Sequence, residues 1–140
     1  MGTGDAESLE SLLAVSKMES ATAGEAAGYA LGLLLAGSGM SRDMSGHDAG
    51  IGEPTARETL LDLAQRTSHE KVTRGLAVGL ALSCYGREDE SDDFVEQMSS
   101  HTDPVIRYGG MLAIAISYSG TGDRDRVKQL LHVAVSDVSD

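Results

Sequence analysis

Four histidines, one cysteine, one dense acidic run and two glycine clusters are the residues of this 140-residue chain that could do chemistry. His47, His69, His101 and His132 raise the possibility of a metal centre. A structural zinc site needs Cys and His clustered at short fixed spacing, whereas these four are scattered and have no cysteine neighbour. His69-Glu70 also lacks the second histidine of a helical HExxH site. The run REDESDD at 87–93 offers carboxylates but not the alternating ligands and central glycine of a calcium loop. It reads as a solvated turn, with Ser91 to Asp93 favouring the N-terminus of the next helix. Cys84 sits inside the apolar run RGLAVGLALSCYG, where a thiol behaves as a small buried hydrophobe, and no local signature ties a histidine to it. Gly37-Ser38-Gly39 and Gly50-Ile51-Gly52 lack the spacing, strand and lysine of a phosphate loop. No catalytic residue, cofactor-binding residue or metal ligand is expected.

Composition narrows the class further. Asp and Glu number 22 against 11 Lys and Arg, a net charge of −11. Nucleic acid and anionic membrane both reward clustered cations, so neither is an expected partner. Aromatic residues are 4% of the chain, with one Phe and no Trp, while glycine numbers 17. A core of Leu, Ala, Val and Gly suits thin, closely packed helices. One cysteine precludes an internal disulfide and agrees with a reducing compartment. The longest apolar stretch, AAGYALGLLLAG at 26–37, has 12 residues, against about 20 for a membrane-spanning helix. No basic segment followed by an apolar one opens the chain, so a secretory leader is not expected. The expectation is a soluble intracellular protein, or a piece of one, about one domain in size.

The elements that carry these residues recur. AGYALGLLLAGSG from Ala27, RGLAVGLALSCYG from Arg74 and RYGGMLAIAISYSG from Arg107 align with Gly28, Gly75 and Gly109 in one place. Four residues on stand Gly32, Gly79 and Ala113. The runs close in Gly39, Gly86 and Gly120. Gly75 and Gly109 are 34 residues apart, Gly28 and Gly75 are 47 apart, and the surplus of 13 falls in SRDMSGHDAGIGEP, a surface insertion by composition. The period is 34. Each glycine run follows a more polar segment (ESLESLLAVSK, TARETLLDLAQR, SDDFVEQMSS and, last, DRDRVKQLLHVAV) with the apolar spacing of an amphipathic helix. Thr55 with Glu58 forms a capping box, Asp103 before Pro104 an N-cap, and Asp123 opens the last segment. Alternation in 74–86 also fits a strand, but the caps and the partner segment favour a helix.

The predicted organisation is a single helical-repeat segment over 1–140. Its units are approximately 5–39, 54–86 and 87–122, with an incomplete unit at 123–140 and a loop insertion at 41–53. Helical hairpins of this size bury their faces only by stacking on neighbours. Gly28, Gly32, Gly75, Gly79, Gly109 and Ala113 are therefore read as helix-packing positions, which offset a propensity cost of about 1 kcal/mol per glycine. Because Ala113 occupies the register of Gly79, Gly79→Ala is expected to be tolerated and Gly79→Leu not. The insertion is expected to be the most mobile internal segment.

GEAAGYALGLLLAG, HEKVTRGLAVGLALSCYGR and LLHVAVSDVSD resemble the proteasome/cyclosome repeats of the largest non-ATPase subunit in the base of the 26S proteasome regulatory particle. A second large base subunit and the largest subunit of the anaphase-promoting complex share these repeats. The resemblance covers nearly the whole chain. It implies an all-α fold, an arc of a closed toroidal α-solenoid with two concentric rings of helices. It further implies a non-catalytic scaffold supporting ATP- and ubiquitin-dependent protein degradation, present in cytoplasm and nucleus. Its partners would be the base ATPases and other regulatory-particle subunits. The alternative is a helical-repeat protein-binding module of another complex, such as the anaphase-promoting complex. Complete subunits of the kind have a helical rod, more repeats and a C-terminal region, so the chain reads as a fragment or shortened form.

Overall fold

The computed structural model describes residues 6–17, 20–45 and 47–136. Positions 5, 18, 19, 46 and 137–140, which fall in the expected first unit, insertion and incomplete unit, lie outside the described residues. Among those described, seven α-helices alternate with turns: α1 Ala6–Ser16, α2 Ala21–Leu35, α3 Ala56–Arg66, α4 Glu70–Ser83, α5 Asp92–Ser99, α6 Pro104–Ser117 and α7 Arg124–Ser136. The fold is all-α. A short 3-10 turn, Glu88–Ser91, leads into α5. The extended alternative for 74–86 is displaced by α4, and the single β feature among the described residues is an isolated bridge between Arg42 and Asp48.

The start signals act as local chemistry demands. Thr55 Oγ1 accepts from the Glu58 N–H at 3.2 Å, and Glu58 Oε2 accepts from the Thr55 N–H at 2.7 Å. This reciprocal box satisfies two of the donors a helix leaves open at its N-terminus. Asp103 Oδ1 accepts from Val105 at 2.8 Å while Pro104, which has no N–H to satisfy, occupies the first turn of α6. Asp123 Oδ1 accepts from the N–H groups of Asp125 and Arg126, each at 2.9 Å, and so caps α7. Ser20 caps α2 through the Ala23 N–H, a start the sequence patterning passed over.

Helix ends show one departure. Gly86 and Gly120 take left-handed backbone, as the register suggests, but in the first unit the left-handed residue is Gly37 rather than Gly39. Gly37 stands two residues past Leu35, the last residue of α2, in the place where a helix commonly ends on glycine. Gly39 is free to serve otherwise, and its carbonyl is used below.

The helices pack in a fixed order. α4 lies between α2 and α6, while α1 covers α2, α3 covers α4 and α5 covers α6. Leu9, Leu31, Leu60, Leu76, Leu80 and Ile106 belong to the main core, and Ala81, Cys84, Val95, Ala113 and Ile114 form a second cluster. Each fully buried leucine or isoleucine contributes about 1.5–3 kcal/mol. α7 lies against α6 but buries none of its residues, and Val127, Leu131 and Val135 face solvent. No described helix is long and apolar enough to cross a membrane.

Candidate functional site

The apolar helices meet along two seams of different construction. At the seam between α2 and α4, glycine faces backbone. A β-carbon built on Gly28 overlaps the Gly75 carbonyl carbon, and one on Gly32 overlaps the Gly79 carbonyl. In the other direction, a β-carbon on Gly75 overlaps the Glu25 carbonyl oxygen, and one on Gly79 overlaps that of Gly28. Backbone has no rotamer with which to yield. Four glycines, two from each helix, thus form a reciprocal contact that no side chain can enter.

At the seam between α4 and α6 the neighbours are side chains as well as backbone. A β-carbon on Gly109 meets Ala77 Cβ at 2.8 Å, the Ala77 carbonyl at 2.9 Å and Met98 Cε at 2.9 Å. Ala113, in the register of Gly79, is fully buried with its methyl group in the second cluster. Here the helices already accommodate β-carbons. The expectation that Gly79→Ala is tolerated is therefore corrected: the alanine at 113 has side-chain neighbours, whereas Gly79 is pressed on the Gly28 carbonyl. Gly110, next to Gly109, has a close approach of its own, since a β-carbon there lies 2.5 Å from the Ser99 nitrogen.

Arg74 ties the first seam at its rim. Its Nε donates to Glu25 Oε1 at 2.9 Å, and Tyr29 donates its hydroxyl to the same oxygen at 3.0 Å. The Arg74 bond, with the Tyr29 bond behind it, holds the Glu25 carboxyl below the usual carboxylate range.

Under the other end of this seam lies a residue that the sequence reading missed. Arg57 is 1% exposed. Its Nε donates to Ser83 Oγ at 2.9 Å, Nη1 to the Gly39 carbonyl at 2.9 Å, and Nη2 to the carbonyls of Leu35 and Ser83 at 3.1 and 3.0 Å. Leu35 and Ser83 are the last residues of α2 and α4. The guanidinium thus sits where two helix macrodipoles present their negative ends, and carbonyls replace the absent carboxylate. Burial pushes its pKa down from the ordinary arginine value, yet the group remains a cation. A signal for it existed. Arg57, Leu60, Leu61 and Ala64 share the apolar stripe of α3 at i, i+3, i+4 and i+7, and a charge inside such a stripe needs a buried partner set.

One period further on, the same place is filled by two serines. Ser91 and Ser117, each 34 residues beyond Arg57 and Ser83, hydrogen bond through their hydroxyls at 3.1 Å. Ser91 stands at the N-cap of α5 with Asp92 and Asp93 in the first turn, as read from REDESDD, but it is buried rather than solvated and its hydroxyl accepts no cap bond. Asp92 instead receives the Tyr118 hydroxyl at 2.8 Å and pairs with Arg126, whose guanidinium lies 4.7 Å over the Tyr118 ring. That trio clips α7 to α5 and α6.

The other chemical candidates are placed apart. His69 precedes α4 without a side-chain cap bond, His101 accepts the Asp103 N–H on Nδ1 at 3.0 Å, His47 lies in the insertion and His132 on exposed α7. Among the described residues no three His, Cys, Asp or Glu side chains are grouped to hold a metal ion. Cys84 is fully buried, donates weakly to the Leu80 carbonyl, and has its thiol pKa raised by that burial. A thiol held protonated is not a nucleophile.

No family model matches the chain. Among curated proteins, the 26S proteasome non-ATPase regulatory subunit 1 homolog A of Arabidopsis thaliana is 46% identical over all 140 residues. The 26S proteasome regulatory subunit RPN2 of Candida glabrata is 42% identical over the same span, and the Drosophila melanogaster non-ATPase regulatory subunit 1 is 41% identical. By sequence, the chain belongs to this regulatory-subunit family. It spans 12–14% of the length of these three relatives. The family match runs through both seams, the Arg57 cluster and the insertion alike.

Proposed function

We propose that the chain is a scaffold segment of the 26S proteasome regulatory particle, a stacked arc of helical-repeat units with no catalytic role. Identity of 41–46% along the entire chain to relatives named as regulatory subunits carries this reading. In it, the units are approximately 5–39, 54–86, 87–122 and 123–140, and the α2–α4–α6 row belongs to the inner ring of an α-solenoid. Gly28, Gly32, Gly75, Gly79, Gly109 and Ala113 are the packing positions that set the spacing of that row. A backbone-to-backbone seam suits a scaffold, because it holds successive units in one geometry. The particle's ATPases and other base subunits are the partners under this reading, ATP- and ubiquitin-dependent degradation is the process served, and cytoplasm and nucleus are the locations.

Co-purification tests it. Mass spectrometry of complexes isolated with the tagged chain, expressed in its own cells, should return the base ATPases in stoichiometric amount. Recovery of anaphase-promoting-complex subunits instead, or of no complex, would overturn it.

A further inference from the structure

The insertion between α2 and α3, expected to be the most mobile internal segment, carries hydrogen bonds of its own among its described residues. The Asp43 N–H donates to the His47 carbonyl at 2.8 Å, and the Ala49 N–H to the Ser41 carbonyl at 2.7 Å. Asp43 Oδ1 accepts from the N–H groups of Ser45 and His47 at 2.8 and 2.9 Å. The loop is fastened to the helices at three points. Arg57 holds the Gly39 carbonyl, the Ala56 N–H donates to the Arg42 carbonyl at 2.7 Å, and Met44 packs on the main core.

At its far side this frame presents one residue, Ile51, which is fully exposed. Ile51 occupies a corner of a tight turn in which the Glu53 N–H donates to the Gly50 carbonyl at 3.0 Å and Glu53 Oε2 accepts from the Gly50 N–H at 3.2 Å. Gly52, at φ +84°, supplies the left-handed corner that such a turn requires. Nothing in the turn demands isoleucine at position 51. Among the described residues the other large exposed apolar side chains, Leu33, Tyr85, Tyr108, Val127, Leu131 and Val135, lie on the packed helices or just past the end of α4, on the flanks and outer end of the stack. Ile51 alone among them stands on the insertion, where stacking of helices does not reach.

We propose that the Gly50–Glu53 turn is a docking knob whose Ile51 side chain enters an apolar pocket on a partner protein. The concavity beside the turn is lined by Glu53 and Glu58 and by no basic side chain, so the matching pocket is rimmed by Lys or Arg. A pre-bonded turn loses little conformational freedom on docking, which lets a single buried side chain count. Flanking glycines leave the isoleucine unobstructed on both sides. The inference rests on the scaffold reading for its setting, since a scaffold segment needs contacts outside its own stack.

The test places a photoreactive diazirine residue at position 51, with position 45 of the same insertion as control, in the chain expressed and isolated in its native complex. Position 51 should give one dominant adduct, mapped to apolar residues of a single partner beside Lys or Arg, that position 45 does not give. Against that purified partner, Ile51→Asp should weaken binding by about tenfold or more while Ile51→Leu stays within about threefold, with helix content equal by circular dichroism. Scattered or absent adducts, the same adduct from position 45, or Ile51→Asp binding as tightly as the native chain would overturn the proposal. Co-purification of the unmodified chain with the base ATPases is read separately, so the scaffold reading can stand while the knob fails.

Discussion

The seams on the two sides of α4 are built from the same small-residue spacing and yet differ in what touches what. Toward α2, Gly75 and Gly79 press on the carbonyls of Glu25 and Gly28. Toward α6, Gly109 faces the Ala77 methyl and carbonyl and the end of Met98 at somewhat longer range, and an alanine sits in the register of Gly79. A close approach between backbones tolerates no added atom, because nothing on either side can rotate away. Where one of the neighbours is the end of a flexible side chain, as Met98 is, part of the approach can relax. The clasps at the helix ends diverge in parallel: a buried cation with four hydrogen bonds ties the α2–α4 seam to α3, and a serine pair stands in the equivalent place beyond it. The first seam is the rigid one and the second has give. The lesson is that a repeating small-residue pattern does not imply repeating contacts.

That difference is open to direct attack. Gly79→Ala should have the largest effect, lowering stability by about 3 kcal/mol, at the top of the usual overpacking range. The helix-propensity gain of about 1 kcal/mol would be outweighed. Urea unfolding followed by circular dichroism gives the number, and a midpoint equal to or above the native one would mean the α2–α4 seam opens readily. Arg57→Met should follow at about 2 kcal/mol, because it leaves the carbonyls of Leu35, Gly39 and Ser83 short of a donor. Hydrogen exchange should quicken at the ends of α2 and α4 and at the base of the insertion, and leave α6 and α7 as they were.

Gly109→Ala should cost about 1–2 kcal/mol: Met98 can move and the propensity gain offsets part of the overlap, but the Ala77 methyl and carbonyl must shift with their backbone. A loss as large as that of Gly79→Ala would make the two seams equivalent and remove the distinction drawn here. Glu25→Gln should have the smallest effect and a dependence on pH. The folded-state pKa of Glu25 lies below its ordinary value, so its contribution is fully present above the unfolded value and is lost as pH falls through the folded one. Thermal midpoints of native and Glu25→Gln chains should differ at neutral pH and converge in acid. A constant difference across that range would show that the Arg74 pair does not act through charge.

Much of the fold was legible because the forces that set it are local. Thr55 with Glu58, Asp103 with Pro104, and Asp123 each satisfy backbone donors within three residues, so their effect is written in adjacent positions. The apolar spacing of α3 likewise marks a helix, and the alternation in 74–86 is resolved only by the caps of the neighbouring elements and the partner segment before it. Arg57 escaped notice because its partners lie 18, 22 and 26 residues away. Ser91 was rightly placed at the start of α5, but its burial was not foreseen for a similar reason: its partner, Ser117, is 26 residues on.

From residue types and spacing alone come the all-α class, the 34-residue period, the starts of α3, α6 and α7 and the place of the insertion. These depend on interactions within a few residues, or on pattern repeated often enough to be seen without coordinates. Only the tertiary structure decided which glycines meet backbone and which meet methyl groups, which arginine is stripped of water, and that Gly37 rather than Gly39 turns left-handed after α2. Gly79 and Ala113 share one register and one helix period but face different neighbours. Close packing is a property of pairs of surfaces, and a single run of sequence carries only one of them.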